Sequence, residues 1–487
     1  MAERPTGRPA DKSSPRRQTG GPPRKWTERT GQRSPPPAPA VQKDPAGYAA
    51  RALAVRLISA VLDRKRALDD ALAAELSTGP GADLEPRDRG MARLIAVTTL
   101  RRKGELDAVV ENFIERPLPA DRGLLSHILA SAAAQLLILD VPPHAVLNIA
   151  VEQCRRDRGA RRFDKLANAV LRRVSDHGRE ILAKAGGPRL DVPEWQWTRW
   201  TSAYGEETAT RIASASLREA PLDVTVKIPS EAADWAERLG GVLLPTGTIR
   251  IADPAARVEA LPGFDEGAWW VQDAAAALPV RLLGEVAGLA IADLCAAPGG
   301  KTAQLAAAGA AVTAVDVSAN RLKRVHENLA RLHLSADVVA ADIHTWQPDR
   351  LFDAVLLDAP CTATGTIRRH PDILYLKRPS DLDAQVVQQT RMLDRAAALV
   401  APGGTLVYCT CSLEPEEGEH QIASFLERNP SFVRDGVLPG RHGIEPEWLT
   451  PAGDLRTLPF HTPGSDASAG MDGFYAARMK KVPDLTV

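Results

Sequence analysis

Apolar side chains recur at helical spacing through residues 47–175. Leu53, Leu57 and Val61 stand at positions i, i+4 and i+8, and further sets with this period follow as far as residue 151. A stripe of this kind covers one face of a helix, and the adjacent prolines at 142 and 143 mark a break between two helices. The pattern predicts an all-α domain, which we bound at residues 46–180.

The pattern changes between residues 188 and 288. Residues 195–216 keep a helical period, whereas 222–227 and 248–251 are short runs rich in β-branched side chains. Such runs are typical of strands. We therefore predict a small α+β subdomain over residues 188–275.

Strand-like and helical runs alternate from residue 289 towards the C-terminus. The strand-like runs are 289–294, 311–315, 338–339, 352–358, 405–411 and 473–475. Strands that alternate with helices favour a doubly wound, mostly parallel sheet with helices on both faces. The third predicted domain is thus an α/β Rossmann-like domain over residues 276–482.

Composition limits the setting of these domains. A length of 487 residues suggests two to four domains, and 44% hydrophobic residues are ample for their cores. No run of 18 apolar residues and no apolar N-terminal stretch occurs, so we expect neither a membrane span nor a secretion signal. The five cysteines lack a C-x-x-C pair, which favours a reducing, cytoplasmic setting and argues against zinc. We expect no metal.

The first 45 residues differ from the rest in composition. They are rich in Pro, Arg, Gly and Ser and carry ten Lys/Arg against four Asp/Glu. We predict a disordered basic tail, which either touches RNA or only aids solubility. Because the net charge of the whole chain is zero, any attraction to nucleic acid must come from local patches.

A glycine turn follows the strand at 289–294. Residues 295–301 read Cys-Ala-Ala-Pro-Gly-Gly-Lys, and glycine there lets the backbone approach a ligand closely. A phosphate-binding P-loop is excluded because Cys295 stands where its first glycine would be, and a dinucleotide G-x-G-x-x-G is absent. Asp293 precedes the turn, and Asp316 follows 23 positions later, where a carboxylate can accept from ribose hydroxyls. These features suit S-adenosylmethionine; the alternative is a turn that only packs.

Two further carboxylates follow strands of the same sheet. Asp342 follows the strand at 338–339, where it can accept from an adenine amino group, and Asp358 ends the strand at 352–358. Ligands bind at the carboxyl ends of the strands in open α/β sheets. Both side chains are therefore candidates for the cofactor or reaction site.

Two cysteines also follow strand ends of that sheet, Cys361 and Cys411. A single buried cysteine is usually inert packing. A pair of cysteines at one sheet edge suits methylation of the C5 carbon of cytosine. In that reaction a thiolate adds to C6 while Asp358 can form a hydrogen bond to the ring N3. The C5 carbon, now nucleophilic, then accepts the methyl group. Two cysteines allow one to attack and the other to assist release.

Basic residues cluster in two places. Residues 155–173 hold eight basic side chains against two acidic ones, among them Arg155, Arg156, Arg161 and Arg162. They either neutralise phosphates or form a solvated face. Arg368, Arg369 and His370 follow the Asp358 strand on a predicted loop, where we expect them to grip phosphates beside the target base. Trp269 and Trp270 could stack on bases, although we favour a place in the core.

The helical domain resembles the antitermination factor NusB. The resemblance lies in residues 138–152 (Ile-Leu-Asp-Val-Pro-Pro-His-Ala-Val-Leu-Asn-Ile-Ala-Val-Glu) and in residues 165–173 (Lys-Leu-Ala-Asn-Ala-Val-Leu-Arg-Arg). It implies that the domain binds RNA.

The α/β domain resembles the Nop/Sun family of RNA 5-methylcytosine methyltransferases. The matching motifs are residues 293–302, 358–365 (Asp-Ala-Pro-Cys-Thr-Ala-Thr-Gly) and 408–412 (Tyr-Cys-Thr-Cys-Ser). Arg-Arg-His-Pro-Asp at 368–372 is similar to the Sun/Fmu branch, which methylates small-subunit ribosomal RNA. The resemblance implies that Cys411 is the nucleophile and that Cys361 promotes product release. It places cofactor contacts at Cys295, Ala296, Ala297, Pro298, Gly299, Gly300, Lys301, Asp316, Asp342 and Asp358.

The expected function is therefore methylation of a cytosine in unassembled small-subunit ribosomal RNA, by a monomer that does not act on DNA. Two alternatives stay open at this point. The same chemistry could serve transfer RNA or another RNA, or the chain could be a non-catalytic RNA-binding module. DNA cytosine methyltransferases place their nucleophile at a Pro-Cys motif, which in this chain is Pro360-Cys361. It therefore also stays open whether Cys361, rather than Cys411, is the nucleophile.

Overall fold

The computed structural model of the protein describes residue 21 and residues 44–251, 257–464 and 470–483. The predicted basic tail therefore lies almost entirely outside the described residues. The chain from Pro45 onward forms one compact unit. Across the described ranges, no helix is both long enough and apolar enough to cross a bilayer.

The N-terminal part is all-α, as its periodicity predicts. Its helices are α1 (Tyr48–Leu62), α2 (Leu68–Ser77), α3 (Pro86–Arg101), α4 (Lys103–Glu111), α5 (Leu125–Leu137), α6 (Pro143–Arg156) and α7 (Asp164–Lys184). Leu53, Leu57 and Val61 are fully buried between α1 and its neighbours. The paired prolines end the connection after α5 and begin α6, because proline is tolerated in the first turn of a helix but not within it.

Two helices, not the single one predicted over 195–216, lead into the next part. They are α8 (Glu194–Tyr204) and α9 (Glu206–Ser216), and Gly205 between them has φ 81°. That left-handed conformation favours glycine and interrupts the helix. Side chains of α8 and α9, among them Trp200 and Ile212, form a core with Ile367, Leu413 and Leu458 of the α/β domain.

A small antiparallel sheet follows. It contains β1 (Leu222–Val226), β2 (Val242–Leu243), β3 (Ile249–Ile251) and β4 (Trp269–Val271) in the order β2-β3-β1-β4, with α10 (Ala232–Arg238) against it. Asp223 and Arg250 form a buried bidentate pair with two N–O distances of 2.8 Å. Trp269 and Trp270 are buried, which confirms the core interpretation and leaves no ring face for stacking on a base.

The α/β domain carries the predicted mostly parallel sheet. Its elements are α11 (Ala274–Arg281), β5 (Ala290–Leu294), α12 (Gly300–Ala307), β6 (Ala311–Asp316), α13 (Ala319–Leu332), β7 (Asp337–Ala340), β8 (Phe352–Asp358), α14 (Ile373–Leu376), α15 (Pro379–Leu399), β9 (Val400–Thr410), α16 (Glu419–Arg428), β10 (Phe432–Arg434), β11 (Leu455–Thr457) and β12 (Phe474–Lys481). The strand order is β10-β12-β9-β8-β5-β6-β7, with β11 paired to β12. Strands β5 to β9 run parallel, and β12 is antiparallel to β9.

Strand β8 shows why these runs are continuously apolar. Val355 and Leu357 belong to the core on one face of the sheet, whereas Ala354 and Leu356 belong to the core on the other. Side chains alternate between the faces of a strand, so a strand covered by helices on both sides needs apolar residues at every position. The carboxyl ends of β5, β6, β7, β8 and β9 consequently meet at one edge.

The segment 368–376 joins this edge to the helical domain. The backbone N–H of Leu68 donates to Asp372 Oδ2 at 3.0 Å, and the hydroxyl of Tyr375 donates to the carbonyl of Leu100 at 2.8 Å. Arg101 donates to the carbonyl of Arg368 at 3.0 Å. Tyr375 and Leu376 also pack against the core of α1 and α3. The loop that leaves the sheet edge is therefore anchored on the helical domain.

Candidate active site

Two thiols meet where β8 and β9 end. Cys361 lies three residues after β8 and Cys411 directly follows β9, and their Sγ atoms are 3.5 Å apart. Parallel neighbours place their following loops side by side, so the predicted juxtaposition is present. The hydrogen bond with Cys411, together with burial, raises the pKa of the Cys361 thiol well above its ordinary value. Cys361 therefore keeps its proton at neutral pH, with that proton in reach of the sulfur of Cys411.

A buried carboxylate ties the two cysteine loops together. Glu417 is fully buried and accepts from the backbone N–H of Thr362 at 2.9 Å, from the Thr362 hydroxyl, and from Gln389 Nε2 at 2.9 Å. Ser412 Oγ lies 3.2 Å from Thr362 Oγ1. These contacts hold the residue after Cys361 against the residue after Cys411, which determines the separation of the sulfurs. Glu417 was not identified from the sequence; its signal was a carboxylate six residues after the second cysteine.

Lys301 and Asp358 form an ion pair beside the thiols. Lys301 Nζ donates to Asp358 Oδ2 at 2.7 Å, and Cys409 Sγ donates to Asp358 Oδ1 at 3.5 Å. Burial alone would lower the pKa of Lys301, but the adjacent carboxylate of Asp358 raises it above its ordinary range. The ammonium is thus fixed in its charged form. The sequence placed Lys301 in the glycine turn but did not indicate its pairing with Asp358.

The glycine turn has the backbone geometry that the motif predicts. Gly299 has φ 102°, where a side chain would be strained, and its N–H donates to the carbonyl of Ala296 at 2.8 Å. Asp316 is buried and accepts from the backbone N–H groups of Ala297 at 3.3 Å and Ser318 at 2.9 Å. The loop after β5 is therefore attached to the end of β6.

The remaining carboxylates occupy two environments. Asp293 is buried under the turn and accepts from the Thr302 hydroxyl at 2.5 Å, and burial raises its pKa to about 7. Asp342 is exposed just beyond β7, with its Oδ1 accepting from the N–H of His344 at 2.9 Å. One oxygen of Asp342 thus stays available to a ligand at the sheet edge, whereas Asp293 supports the turn from below.

The predicted cofactor residues lie along one sheet edge. Residues 295–301 follow β5, Asp316 ends β6, Asp342 follows β7 and Asp358 ends β8. Carboxylates next to a glycine-lined bend fit the hydroxyl and amino groups of an adenosine, since an ionised carboxylate only accepts hydrogen bonds. Within the described ranges, no group of His, Cys, Asp and Glu side chains could hold a metal ion. Individual cofactor contacts remain predictions.

The predicted phosphate contact of Arg368 is corrected by the structure. Its side chain is 1% exposed, with Nε donating to Asp472 Oδ1 at 2.6 Å and the other end paired with Asp273. Arg369 is paired with the same two carboxylates. A guanidinium enclosed by carboxylates cannot meet a phosphate, so this arginine pair is a structural link. His370 remains 45% exposed, 3.7 Å from Asp69 of the helical domain.

The basic cluster of the helical domain lies at the surface. Arg155 and Arg162 are 60% and 52% exposed; Arg155 pairs with the half-buried Asp164 and Arg162 with the exposed Asp121. Arg156 pairs with Glu152 at 2.7 Å, and Arg161 is exposed at the turn before α7. Exposed ion pairs are weak and exchange readily with solvent or phosphate. RNA contact by these four arginines stays a prediction.

Comparisons with known proteins cover both domains. The family model for 16S rRNA methyltransferase RsmB/F matches residues 281–480, and that for the NusB family matches residues 48–176. The ribosomal RNA small subunit methyltransferase B of Cronobacter sakazakii is 35% identical over 446 residues, which cover 88% of this chain and 98% of that protein. The crystal structure of PH0851 has a TM-score of 0.64 at 23% identity and covers 90% of this chain and 99% of its own. A methyltransferase homologue from Pyrococcus horikoshii has a TM-score of 0.51 at 28% identity, covering 60% of this chain and 97% of its own.

Proposed function

The chain belongs to the RsmB/F family of 16S rRNA methyltransferases and carries the NusB-type helical domain in front of the catalytic domain, and from this membership we propose its reaction. It transfers the methyl group of S-adenosylmethionine to the C5 carbon of a cytosine in small-subunit ribosomal RNA. The observation that carries this proposal is the pair of thiols, 3.5 Å apart, next to the Lys301–Asp358 ion pair.

The two thiols have different roles: one adds to the base, and the other promotes release of the product. C5 of cytosine is a poor nucleophile until a sulfur adds to C6, so one thiol must act as a thiolate. Because Cys361 holds its proton, Cys411 is the better nucleophile, and the Cys361 S–H donates a hydrogen bond to its thiolate. The new S–C6 bond shifts an electron pair through the ring to C5. After methylation, loss of the C5 proton to a base expels the Cys411 thiolate and restores the aromatic ring.

The Lys301–Asp358 pair acts at the other side of the ring. Attack at C6 builds negative charge on the N3–C2–O2 portion of the base. The Lys301 ammonium, held on the N3 side by Asp358, can donate a hydrogen bond to this portion of the ring and offset its charge, which lowers the energy of the addition step in a buried site. S-adenosylmethionine, when bound in the glycine turn, supplies an electrophilic methyl group.

The RNA must present the base outside a helix. A cytosine stacked within a duplex cannot reach a sulfur at a sheet edge, so the substrate is single-stranded there or flips its base. This favours ribosomal RNA before assembly. The exposed arginines at 155, 156, 161 and 162 offer a sequence-independent phosphate contact on the helical domain.

Methylation of protein-free small-subunit ribosomal RNA with a labelled methyl donor tests this proposal. We expect 5-methylcytosine in the digested RNA, no turnover and no adduct for Cys411→Ala, and an accumulating covalent protein–RNA complex for Cys361→Ala. Transfer RNA serves as the competing substrate in parallel reactions.

Each other result has a distinct meaning. Adduct formation by Cys411→Ala but not by Cys361→Ala reverses the two roles. Methylation confined to transfer RNA would replace the substrate. Absence of methyl transfer to either RNA, with the RNA still bound, would favour a non-catalytic binding module.

A further inference from the structure

A cavity of about 530 Å³ lies away from the thiols, between the small antiparallel sheet and the α/β domain. The ends of β1 and α11, the β2–β3 hairpin and the loop at 441–442 contribute to its wall. Helix α12 begins at the glycine turn, whereas this cavity is lined by Gln304 and Ala307 of its second half and by Ala308, which follows it. The cavity therefore lies towards the end of α12 opposite to the candidate active site, and it shares no residue with that site.

The wall of the cavity is largely apolar, and most of its ionisable side chains are basic. Lys227, Arg281, Arg441 and His442 line it, and Glu285 is the acidic residue among the described lining residues. Lys227 has a local role because its Nζ donates to the carbonyl of Leu332 at 3.1 Å. The other three side chains line the same cavity. Burial lowers the pKa of His442, and the charges of Arg281 and Arg441 lower it further against the opposite effect of Glu285, so the imidazole is neutral at neutral pH. Arg281 and Arg441 are thus two cations in the wall of one cavity, and such a pair attracts an anion.

Arg281 is the side chain that lacks a partner. Its Nε is out of contact with solvent and has no hydrogen-bond partner among the described residues, and no ion pair of Arg281 occurs within them. Burial lowers its pKa, with no carboxylate acting in the opposite direction. Arg281 is half-buried, and the more deeply buried Arg250 and Arg456 are both paired with carboxylates. A half-buried charge without a counterion is costly, so a partner from outside the chain is the natural complement.

Gly247 provides the room for this guanidinium. It has φ 77°, and a Cβ at this position would lie 2.8 Å from both terminal nitrogens of Arg281. The flat guanidinium thus lies against the hairpin backbone. A flat guanidinium can donate two parallel hydrogen bonds to one oxyanion.

We propose that Arg281, with Arg441 and His442, binds a phosphate group in this cavity. The two arginines match the charge of a phosphate better than that of a single carboxylate, and the neutral imidazole of His442 can add a hydrogen bond. The volume accommodates a phosphate with an attached nucleoside or a turn of RNA backbone. The phosphate has two sources to distinguish, a free phosphate ester and the backbone of bound RNA.

Thermal unfolding of the full chain tests the pocket without reference to methylation. Inorganic phosphate, added at constant ionic strength against chloride, should raise the Tm of the wild-type protein and of Arg238→Met. Arg238 is a matched control because it is a half-exposed arginine on α10 of the same subdomain. Arg281→Met should abolish the phosphate-dependent shift while leaving the Tm without phosphate equal to or above that of the wild type, since an unpaired charge is removed. Arg441→Ala, an exposed position, should reduce the shift.

RNA binding distinguishes the two sources, and this arm alone rests on the proposed function. If the ligand is RNA backbone, Arg281→Met lowers the slope of log K against log salt by about one, and inorganic phosphate competes with RNA. If the ligand is a free phosphate ester, the slope is unchanged while the Tm shift is still lost. The proposal is overturned if Arg281→Met lowers the Tm and retains the phosphate response, which makes Arg281 structural. It is equally overturned if the wild type shows neither a phosphate response nor a change in salt slope on mutation.

Discussion

At the residue scale, the proposed mechanism requires one thiol to stay protonated beside another that ionises. The sequence predicted that Cys361 and Cys411 meet, because both follow parallel strands that end at the same edge. It did not predict that Lys301 pairs with Asp358, since that contact depends on how the first turn of α12 faces the end of β8. Nor did it predict the Glu417 contacts, which require the loops after β8 and β9 to be placed first. Motif positions were thus predictable, and side-chain pairings were not.

Replacing Lys301 with methionine should lower the rate of covalent adduct formation by about 100- to 1000-fold, the usual cost of losing one charge-stabilising donor. Methionine keeps the length of the side chain but provides no positive charge and no hydrogen-bond donor for the base. Single-turnover trapping of the protein–RNA adduct measures this rate, and calorimetry with S-adenosylmethionine measures cofactor binding separately. Lys323→Met, an exposed lysine on α13, is the control. Loss of cofactor binding with an unchanged rate at saturation would assign Lys301 to the cofactor instead.

Asp293 makes stability depend on pH with a defined sign. Its pKa is about 7 in the folded protein against an ordinary value of 3.8, so between these values the folded state holds a proton that the unfolded state has lost. Its contribution is complete below the unfolded value and declines as pH rises towards 7. Asp293→Asn should remove this decline, which reaches at most about 1.4 kcal/mol per pH unit. Urea unfolding from pH 4.5 to 7.5 measures it, with exposed Asp349→Asn as control; parallel profiles for wild type and Asp293→Asn would contradict the assignment.

At the element scale, the loop after β8 shows where sequence reasoning failed. A polar segment that follows a motif strand is typically an exposed loop, and on that basis Arg368 was expected to grip phosphates. Its counterions are 95 and 104 residues away in sequence, at the start of α11 and before β12. The same limitation applies to α8 and α9, where the apolar period continues across a glycine whose conformation ends the first helix. Elements defined by local periodicity were predicted well, whereas loops stabilised by distant partners were not.

Arg368→Met should therefore lower the free energy of unfolding by about 3–5 kcal/mol, because it removes one of the two positive charges that neutralise the buried carboxylates Asp273 and Asp472. Arg369→Met should cost less, since its side chain is 23% exposed and Arg368 would remain. Chemical denaturation measures both variants. An unchanged stability combined with a smaller salt slope in RNA binding would restore the phosphate contact first expected of Arg368.

At the scale of the whole molecule, the segment 368–376 of the α/β domain contacts the helical domain and joins the two into one compact unit. The chain has no net charge, so RNA attraction has to come from patches, and the largest sequence cluster lies on the helical domain rather than at the sheet edge. The helical domain thus combines two properties, a basic surface and contact with the loop that follows Cys361. Domain order and fold class followed from periodicity and motifs, but the contact between the domains did not, because it is made by single side chains such as Tyr375.

Because the basic cluster and the thiols lie in different domains, removing positive charge from the cluster should affect RNA binding but not the reaction step. Converting Arg155, Arg161 and Arg162 together to glutamine should weaken RNA binding by about 10- to 100-fold near physiological salt and reduce the salt slope by about 2–3, since each arginine displaces about one counterion. The rate of adduct formation at saturating RNA should stay unchanged, because none of the three lies near the thiols.

The matched control converts Arg87, Arg179 and Lys184, three exposed cations elsewhere in the same domain, and makes the same change in net charge. Filter binding across a salt series measures both triple variants. Equal slopes for the two would show that the cluster is only a solvated face, whereas a lower adduct rate at saturation would mean that RNA bound on the helical domain also orders the loop carrying Cys361.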